Sequence, residues 1–462
     1  MQESAFDDVV ILFKELTKVL KINPSQVNPL TGDLKIPSIP KQIAVIYAIV
    51  CSKNASLVNQ EIVSNMKTIL DSSKTNIDKK VAFYIIGELG KTNNLTNNHE
   101  VCSLIEQVLK SGSEDVKEAA AICMGQLTLG NIKYFMPAIL KSLGNGSDSV
   151  IYYMLVAIRE IVSTDPGIIT PYFNEILPVL IEKASSKENS VRNMVAECIG
   201  KSFISLTEIL TQFINENIQS QNVFVKGTVL NAFTFIAVKN LQKVKELNNL
   251  LPNFINCMNS KDLKILEQVM ISANSIAYYH PNLLRPHIDI IMPVIVRESL
   301  LKSELIYEVD MGAFKYKKDD GLVLRKACFQ LIHTLTVTVS DKVLSNQILD
   351  RVKDALKNDE SEEIQTICYM ILESFAKMSQ NLIIAEIEII GQIIETKLNE
   401  CEKKLKDKQD IEKVKGKINK IVHLLVKMSE IPGVDLIEKF QLLQKRLESN
   451  EEFASAKKEI LK

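Results

Sequence analysis

The side chains that do most enzyme and metal chemistry are few here, and they are scattered. Five histidines (His99, His280, His287, His333 and His423) lack the i,i+4 or cysteine-partnered spacings that bring ligands onto one metal. Eight cysteines (Cys51, Cys102, Cys123, Cys198, Cys257, Cys328, Cys368 and Cys401) form no CxxC pair. Most have apolar neighbours, as Cys123 does in AAAICMG, so buried free thiols in a reducing compartment are expected instead of disulfides. No Walker A lysine motif, HExxH, GxSxG or full GxGxxG occurs. Gly144-Asn145-Gly146 reads as a turn between paired helices. His280 and His287, flanking Pro281 and Pro286, read as surface residues of an inter-helix loop. The expectation is a protein without catalytic, metal or cofactor residues.

One segment is better suited to contact than to catalysis. Residues 303–320 read SELIYEVDMGAFKYKKDD. With Gly312-Ala313 as a two-residue turn, Gly at the first central position fits type II′, whose twist matches that of paired strands. Met311 then faces Phe314, Val309 faces Tyr316 and Tyr307 faces Lys318 on one side of the ribbon. Asp310 faces Lys315 and Glu308 faces Lys317 on the other. Apolar pairs share one face and opposite charges the other, as cross-strand energetics prefer. The register predicts a β-hairpin whose outward face carries Tyr307, Val309, Met311, Gly312, Phe314 and Tyr316. Aromatic residues and Met concentrate at interface centres, so this face is the candidate protein-binding site. The alternative is that it folds back and plugs the neighbouring helices.

Elsewhere apolar residues recur at i, i+3, i+4 and i+7, and strand-like alternation is nearly absent. Helix starts with an Asp or Asn cap are expected at Asp78, Asp115, Asp148, Asn189, Asn222, Asp262 and Asp320, spaced 37, 33, 41, 33, 40 and 58 residues apart. A second landmark, a proline after two apolar residues, recurs at Pro137, Pro178, Pro252 and Pro293, spaced 41, 74 and 41 residues apart. Proline removes one backbone bond and bends a helix, so these mark the outer helix of each pair. Small residues such as Gly87, Gly125, Ala196 and Gly200 in the second helices fit close approach between neighbours. A period near 40 with one helical hairpin per unit is the mark of HEAT-type repeats. The interval from Pro293 to Asp320 is 27 residues where the others are 10 or 11, and the hairpin accounts for the excess. The predicted fold is an all-α, HEAT-repeat (armadillo-like) α-solenoid with one inserted β-hairpin: repeats over 1–300, the hairpin at 301–320, further repeats and a cap over 321–462.

Composition agrees. The 462 residues carry 55 Lys+Arg against 56 Asp+Glu, with 46% hydrophobic and 24% charged residues. Near-zero net charge argues against nucleic acid or an anionic membrane as partner. No apolar run approaches the ~18 residues that cross a bilayer; IAVIYAIVC at 43–51 is of core-helix length. The acidic start MQESAFDDVV does not read as a signal peptide, so a cytoplasmic or nuclear location is expected. The Lys-rich stretch Glu402–Lys420 carries eight Lys against four acidic residues and reads as a solvated helix and loop between repeats, with i,i+4 pairs Glu402/Lys406 and Lys403/Asp407. The other possibility is that it meets an acidic partner surface.

SELIYEVDMGAFKYKKDDGLVLRKACFQL (303–331) resembles the hairpin segment of the cullin-associated, neddylation-dissociated (Cand) family, and VRNMVAECIGK (191–201) is similar to it too. The likeness extends more weakly from about residue 40 to the end and covers only the C-terminal part of that family's solenoid. Its large N-terminal arm is expected in a longer protein or in a separate chain. The resemblance implies a non-enzymatic regulator of cullin–RING (SCF-type) ubiquitin ligases. Its C-terminal arm would grip the N-terminal region of an unmodified cullin. Its hairpin would occupy the site of the adaptor that carries the substrate receptor, so that receptors exchange. By position, Tyr307, Val309, Met311, Gly312, Phe314 and Tyr316 fall on the family hairpin. Ala313 stands where the family often has Pro, which would stiffen the turn. Other helical-repeat classes, a nuclear-transport receptor or a phosphatase-type scaffold, fit the periodicity but not the insert. Transport receptors are also markedly acidic, which this chain is not.

Overall fold

A computed structural model describes residues 63–71, 76–97, 99–238, 244–310, 312, 315–407 and 410–461. Cys51, the run 43–51 and three hairpin-tip residues, Met311, Ala313 and Phe314, lie outside the described residues. The chain divides into two compact units between Phe213 and Ile214.

The first unit runs α1 (Val63–Asp71), α2 (Asn76–Thr92), α3 (His99–Ser111), α4 (Glu114–Gly130), α5 (Ile132–Asn145), α6 (Asp148–Thr164), α7 (Phe173–Ala184) and α8 (Asn189–Ser202). The helices pair as the sequence spacing predicts. α3 packs on α4, α5 on α6 and α7 on α8, while the second helices stack in series, α2 on α4, α4 on α6 and α6 on α8. A helix with neighbours on both sides must be apolar nearly all round. α4 meets that demand with an unbroken buried run from Ala119 to Thr128. Small residues set the spacing of the stack. A methyl group on Gly125 would lie 2.6 Å from the Ala157 carbonyl oxygen of α6, and one on Gly130 would lie 1.8 Å from the Gly90 carbonyl oxygen of α2.

α9 (Thr207–Asn217) contains the division. The second unit continues with α10 (Val223–Val238), α11 (Val244–Asn256), α12 (Leu263–Tyr279), α13 (Pro281–Leu284) and α14 (Ile288–Glu298). After the strands β1 (Ile306–Asp310) and β2 (Lys315–Asp319) come α15 (Leu322–Thr338), α16 (Ser340–Val343), α17 (Asn346–Asn358), α18 (Glu362–Met378), α19 (Gln380–Lys406), α20 (Ile411–Ser429), α21 (Glu438–Ser449) and α22 (Glu451–Ile460). Here the stacked series is α10, α12, α15, α18, α20 and α22. The landmark prolines all sit inside first helices of pairs: Pro137 in α5, Pro178 in α7, Pro252 in α11 and Pro293 in α14.

Several local expectations are corrected. Only some of the Asp and Asn landmarks cap a helix. Asp262 accepts from the Ile265 amide at 3.0 Å and Asn222 from the Phe224 amide at 2.9 Å. The N-caps of α4 and α6 are instead Ser113 and Ser147, with Asp115 and Asp148 in the first turn. A carboxylate is favoured in either place, because the first turn also presents unpaired amides and the positive end of the helix dipole. Asn189 opens α8 behind an N-cap at Glu188, and Asp320 caps nothing, since Gly321 precedes α15. Gly144 belongs to the last turn of α5, so the turn begins at Gly146. His280 is more than a surface residue: its Nε2 lies 2.9 Å from the Ala237 carbonyl and ties the ends of α10 and α12 together. The Lys-rich stretch does contain the expected break, with α19 ending at Lys406 and α20 beginning at Ile411, but not the expected pairs. Glu402 meets Arg446 at 2.9 Å instead of Lys406, and Lys417, packed in and lying 3.6 Å from Glu400, has its ammonium pKa pushed down by burial.

Candidate partner-binding finger

β1 and β2 pair antiparallel in the register Ile306–Asp319, Tyr307–Lys318, Glu308–Lys317, Val309–Tyr316 and Asp310–Lys315. Side chains of successive residues point to opposite faces, so Tyr307, Val309 and Tyr316 share one face of the ribbon. That face is not folded back. Tyr307 is 43% exposed and Tyr316 47%, with Val309 half-buried between them. At the tip Gly312 takes φ +82°, the left-handed region that costs glycine nothing. Its amide donates to Asp310 Oδ1 at 2.9 Å, an Asx-type brace that holds the end of β1. Met311 and Phe314, the tip pair of the sequence-derived face, are among the residues left undescribed.

The charges follow the predicted split, with one addition. Lys315 lies 3.9 Å from Glu308, while Lys317 reaches past the ribbon to Glu360 at 3.7 Å. On the aromatic face Lys318 Nζ donates to the Tyr307 hydroxyl at 2.9 Å and lies 5.4 Å from its ring centre. The hydroxyl in turn donates to Asp320 Oδ2 at 3.0 Å, and Lys318 pairs with Asp320 Oδ1 at 3.0 Å. The hydrogen bonds from Lys318 and Tyr307 hold the Asp320 carboxyl below its ordinary pKa. Those from Lys318 to Tyr307 and Asp320 raise the ammonium. Asp320 thus belongs to the ribbon and not to the helix behind it.

A two-stranded ribbon alone is marginal in water, so its foot must be held. Both stems are. The ladder extends one step further, with the Asp320 amide donating to the Leu305 carbonyl at 3.0 Å. Asp319, the last residue of β2, accepts from Arg325 Nη1 at 3.0 Å, from Nη2 at 2.9 Å and from the Gly321 amide at 3.0 Å. A Cβ on Gly321 would lie 2.9 Å from Leu305 Cδ1 and 3.3 Å from Arg325 Nη1, so these side-chain ends pack close over the bare glycine. The same guanidinium donates through Nε to Asp359 Oδ2 at 2.9 Å, in the loop between α17 and α18. Arg325 and Asp359 are both buried. Burial alone would lower the guanidinium pKa, but its bonds to Asp319 and Asp359 outweigh that and raise it. Removing one member of such a buried pair leaves an uncompensated charge and costs about 3–5 kcal/mol.

The end of α14, which leads toward the ribbon, has its own clamp. Buried Arg351 of α17 donates from Nε to Ser299 Oγ at 2.9 Å and from Nη2 to the Ser299 carbonyl at 2.7 Å. It also bonds Asp354 and lies 5.2 Å from the Phe329 ring centre. Beside it, Glu298 accepts from Arg297 at 2.7 Å and from Lys302 at 2.5 Å. Burial would raise this carboxyl, but the two cations win and keep its pKa below the ordinary range. Sequence reasoning found the finger but missed Arg325, Asp359, Arg351 and Ser299. One signal was available: Arg325 sits in the buried stripe of α15 between Leu324 and Cys328, where an unpaired cation is not tolerated. Among the described residues no group of three metal-ligating side chains occurs, and no helix is long and apolar enough to cross a membrane.

Paired helices in stacked series with one inserted ribbon define a HEAT-type α-solenoid. Two solved structures of yeast importin-β support that class. One superposes with a TM-score of 0.57 at 12% identity, over 96% of this chain and 63% of that one. The other, a complex with RanGDP, gives 0.56 at 13%, over 96% and 62%. Identities this low speak to fold alone. Residues 283–456, which include the finger, match the TIP120 family model, described as TATA-binding protein interacting (TIP20). Cullin-associated NEDD8-dissociated protein 1 of Dictyostelium discoideum is 30% identical over 370 residues, 77% of this chain and 29% of that protein. Its Arabidopsis thaliana namesake is 26% identical over 87% of this chain and 34% of its own length. An Emericella nidulans relative named as the C-terminal part of that protein is 26% identical over 68% of this chain. The chain is a relative of the C-terminal region of the cullin-associated, neddylation-dissociated family, and it spans about a third of the length of the full relatives.

Proposed function

We propose that this chain is a non-enzymatic cullin-binding protein whose finger competes with the substrate-receptor adaptor for the N-terminal region of an unmodified cullin and so promotes receptor exchange in cullin–RING ligases. The observation that carries the reading is the finger itself. It is a ribbon with its backbone paired, both stems clamped and two tyrosines half open to solvent on one face. A preordered aromatic face loses little conformational entropy on docking, which is how small surfaces achieve useful affinity. The names of the relatives supply the partner class, and the likeness to the Cand hairpin segment supplies the competition. Cytoplasm and nucleus, where cullin ligases act, are the proposed locations. The importin-like fold adds no argument for transport. The test is a pull-down with a cullin N-terminal domain followed by displacement with its adaptor. Removing residues 304–318 should abolish competition with the adaptor. Unchanged cullin capture and unchanged competition after that deletion would sink the reading.

A further inference from the structure

The finger touches the rest of the second unit mainly at its foot, and one side chain joins that foot to the next repeat. Arg325 holds Asp319 in a two-pronged grip at 3.0 and 2.9 Å and Asp359 at 2.9 Å. Asp319 ends β2, whereas Asp359 is fixed in the helical body: its Oδ1 accepts from the Ser361 amide at 3.0 Å and its carbonyl from Gln365 at 2.7 Å. Both carboxylates are approached from one planar guanidinium, so the angle between ribbon and body follows the plane of the fork. Lysine, a point charge on a flexible stem, cannot set such an angle. Among the described residues, the Lys317–Glu360 pair also joins the ribbon to the next repeat beyond this foot. Both its side chains are largely exposed, so it adds little.

We propose that Arg325 is a positioning residue: by gripping Asp319 and Asp359 together it fixes the direction in which the finger leaves the helical stack, and thereby sets partner affinity without touching the partner. The affinity half of this statement rests on the cullin reading above; the geometric half does not. The experiment therefore measures both on the whole chain. Spin-labelled residues at Glu308 on the finger and Glu362 on α18 report the width of their distance distribution. R325K and D319N should each broaden it about twofold. D319N leaves Arg325 paired with Asp359, so the helical melting transition should stay within a few degrees of the parent. In parallel, R325K should lower affinity for a cullin N-terminal domain about tenfold in the intact chain and less than about twofold in a chain lacking 306–319, the coupling expected of residues that act through one another. An unchanged width in both variants overturns the proposal. So does an equal affinity loss with and without the finger, which would make Arg325 a residue of the body alone. Broadened widths in a chain whose cullin affinity ignores the finger would uphold the positioning role and reject the cullin reading.

Discussion

The finger and the helix that follows it are adjacent in sequence, yet their apolar side chains meet opposite fates. In α15, Leu324, Cys328, Leu331, Ile332 and Leu335 are buried against α12 and α18. In the ribbon, Tyr307 and Tyr316 stay about half exposed. The difference lies in how the backbone is satisfied. A helix pairs its own amides but leaves an apolar stripe that only neighbours can cover, so each repeat recruits the next. The ribbon pairs its amides across two strands and needs cover only at its foot, where charges supply it. Its aromatic face is therefore left for something else. Stability resides in the stack, and the proposed recognition falls on the insert.

That separation can be attacked from either side. The largest effect should come from the joint between the two regions: Arg325→Ala is expected to lower unfolding free energy by about 3–5 kcal/mol in urea titrations, because buried Asp359 loses the cation that pairs it. Next, Tyr316→Ala should weaken cullin capture by about 2 kcal/mol, read by calorimetric titration, while stability changes by less than about 0.5 kcal/mol. A loss of stability instead would mean that the ribbon's face belongs to the core. The converse variant, Asp262→Ala, removes a cap from α12 and should cost about 1 kcal/mol of stability with cullin affinity unchanged. The smallest effect concerns pH. Asp320 has a depressed pKa, so its pairing with Lys318 and Tyr307 contributes fully above the ordinary carboxylate value near 4 and is lost as pH falls through the folded value. Exchange of the ribbon amides should accelerate there before the helices loosen.

How much of this could be read from the residues differs by element. The register of the ribbon was legible at every described pair because a one-residue slip would have put Glu308 and Lys317 on the aromatic face. The stacked second helices were legible because two independent landmarks repeat at matching spacings. Caps were less so: Ser113 and Ser147 sit just ahead of Asp115 and Asp148, and both residue types suit a helix start. The Lys-rich stretch reads as helix plus loop, but charge spacing does not say where the helix stops, and α19 ends at Lys406. The joint at the foot was out of reach for another reason. Arg325 and Asp359 are 34 positions apart, and only the packing of α15 against α18 brings them together.

The register of β1 and β2 carries one more consequence. A sheet of two strands has no interior strand, so each offers an outer row of unpaired backbone groups onto which a foreign chain could add. Lys315, Lys317 and Lys318 fill three of the five positions of β2, and a second copy laid alongside in register would bring like charges together. The rim of the finger thus resists fibre-like self-assembly while its flat side stays open to solvent.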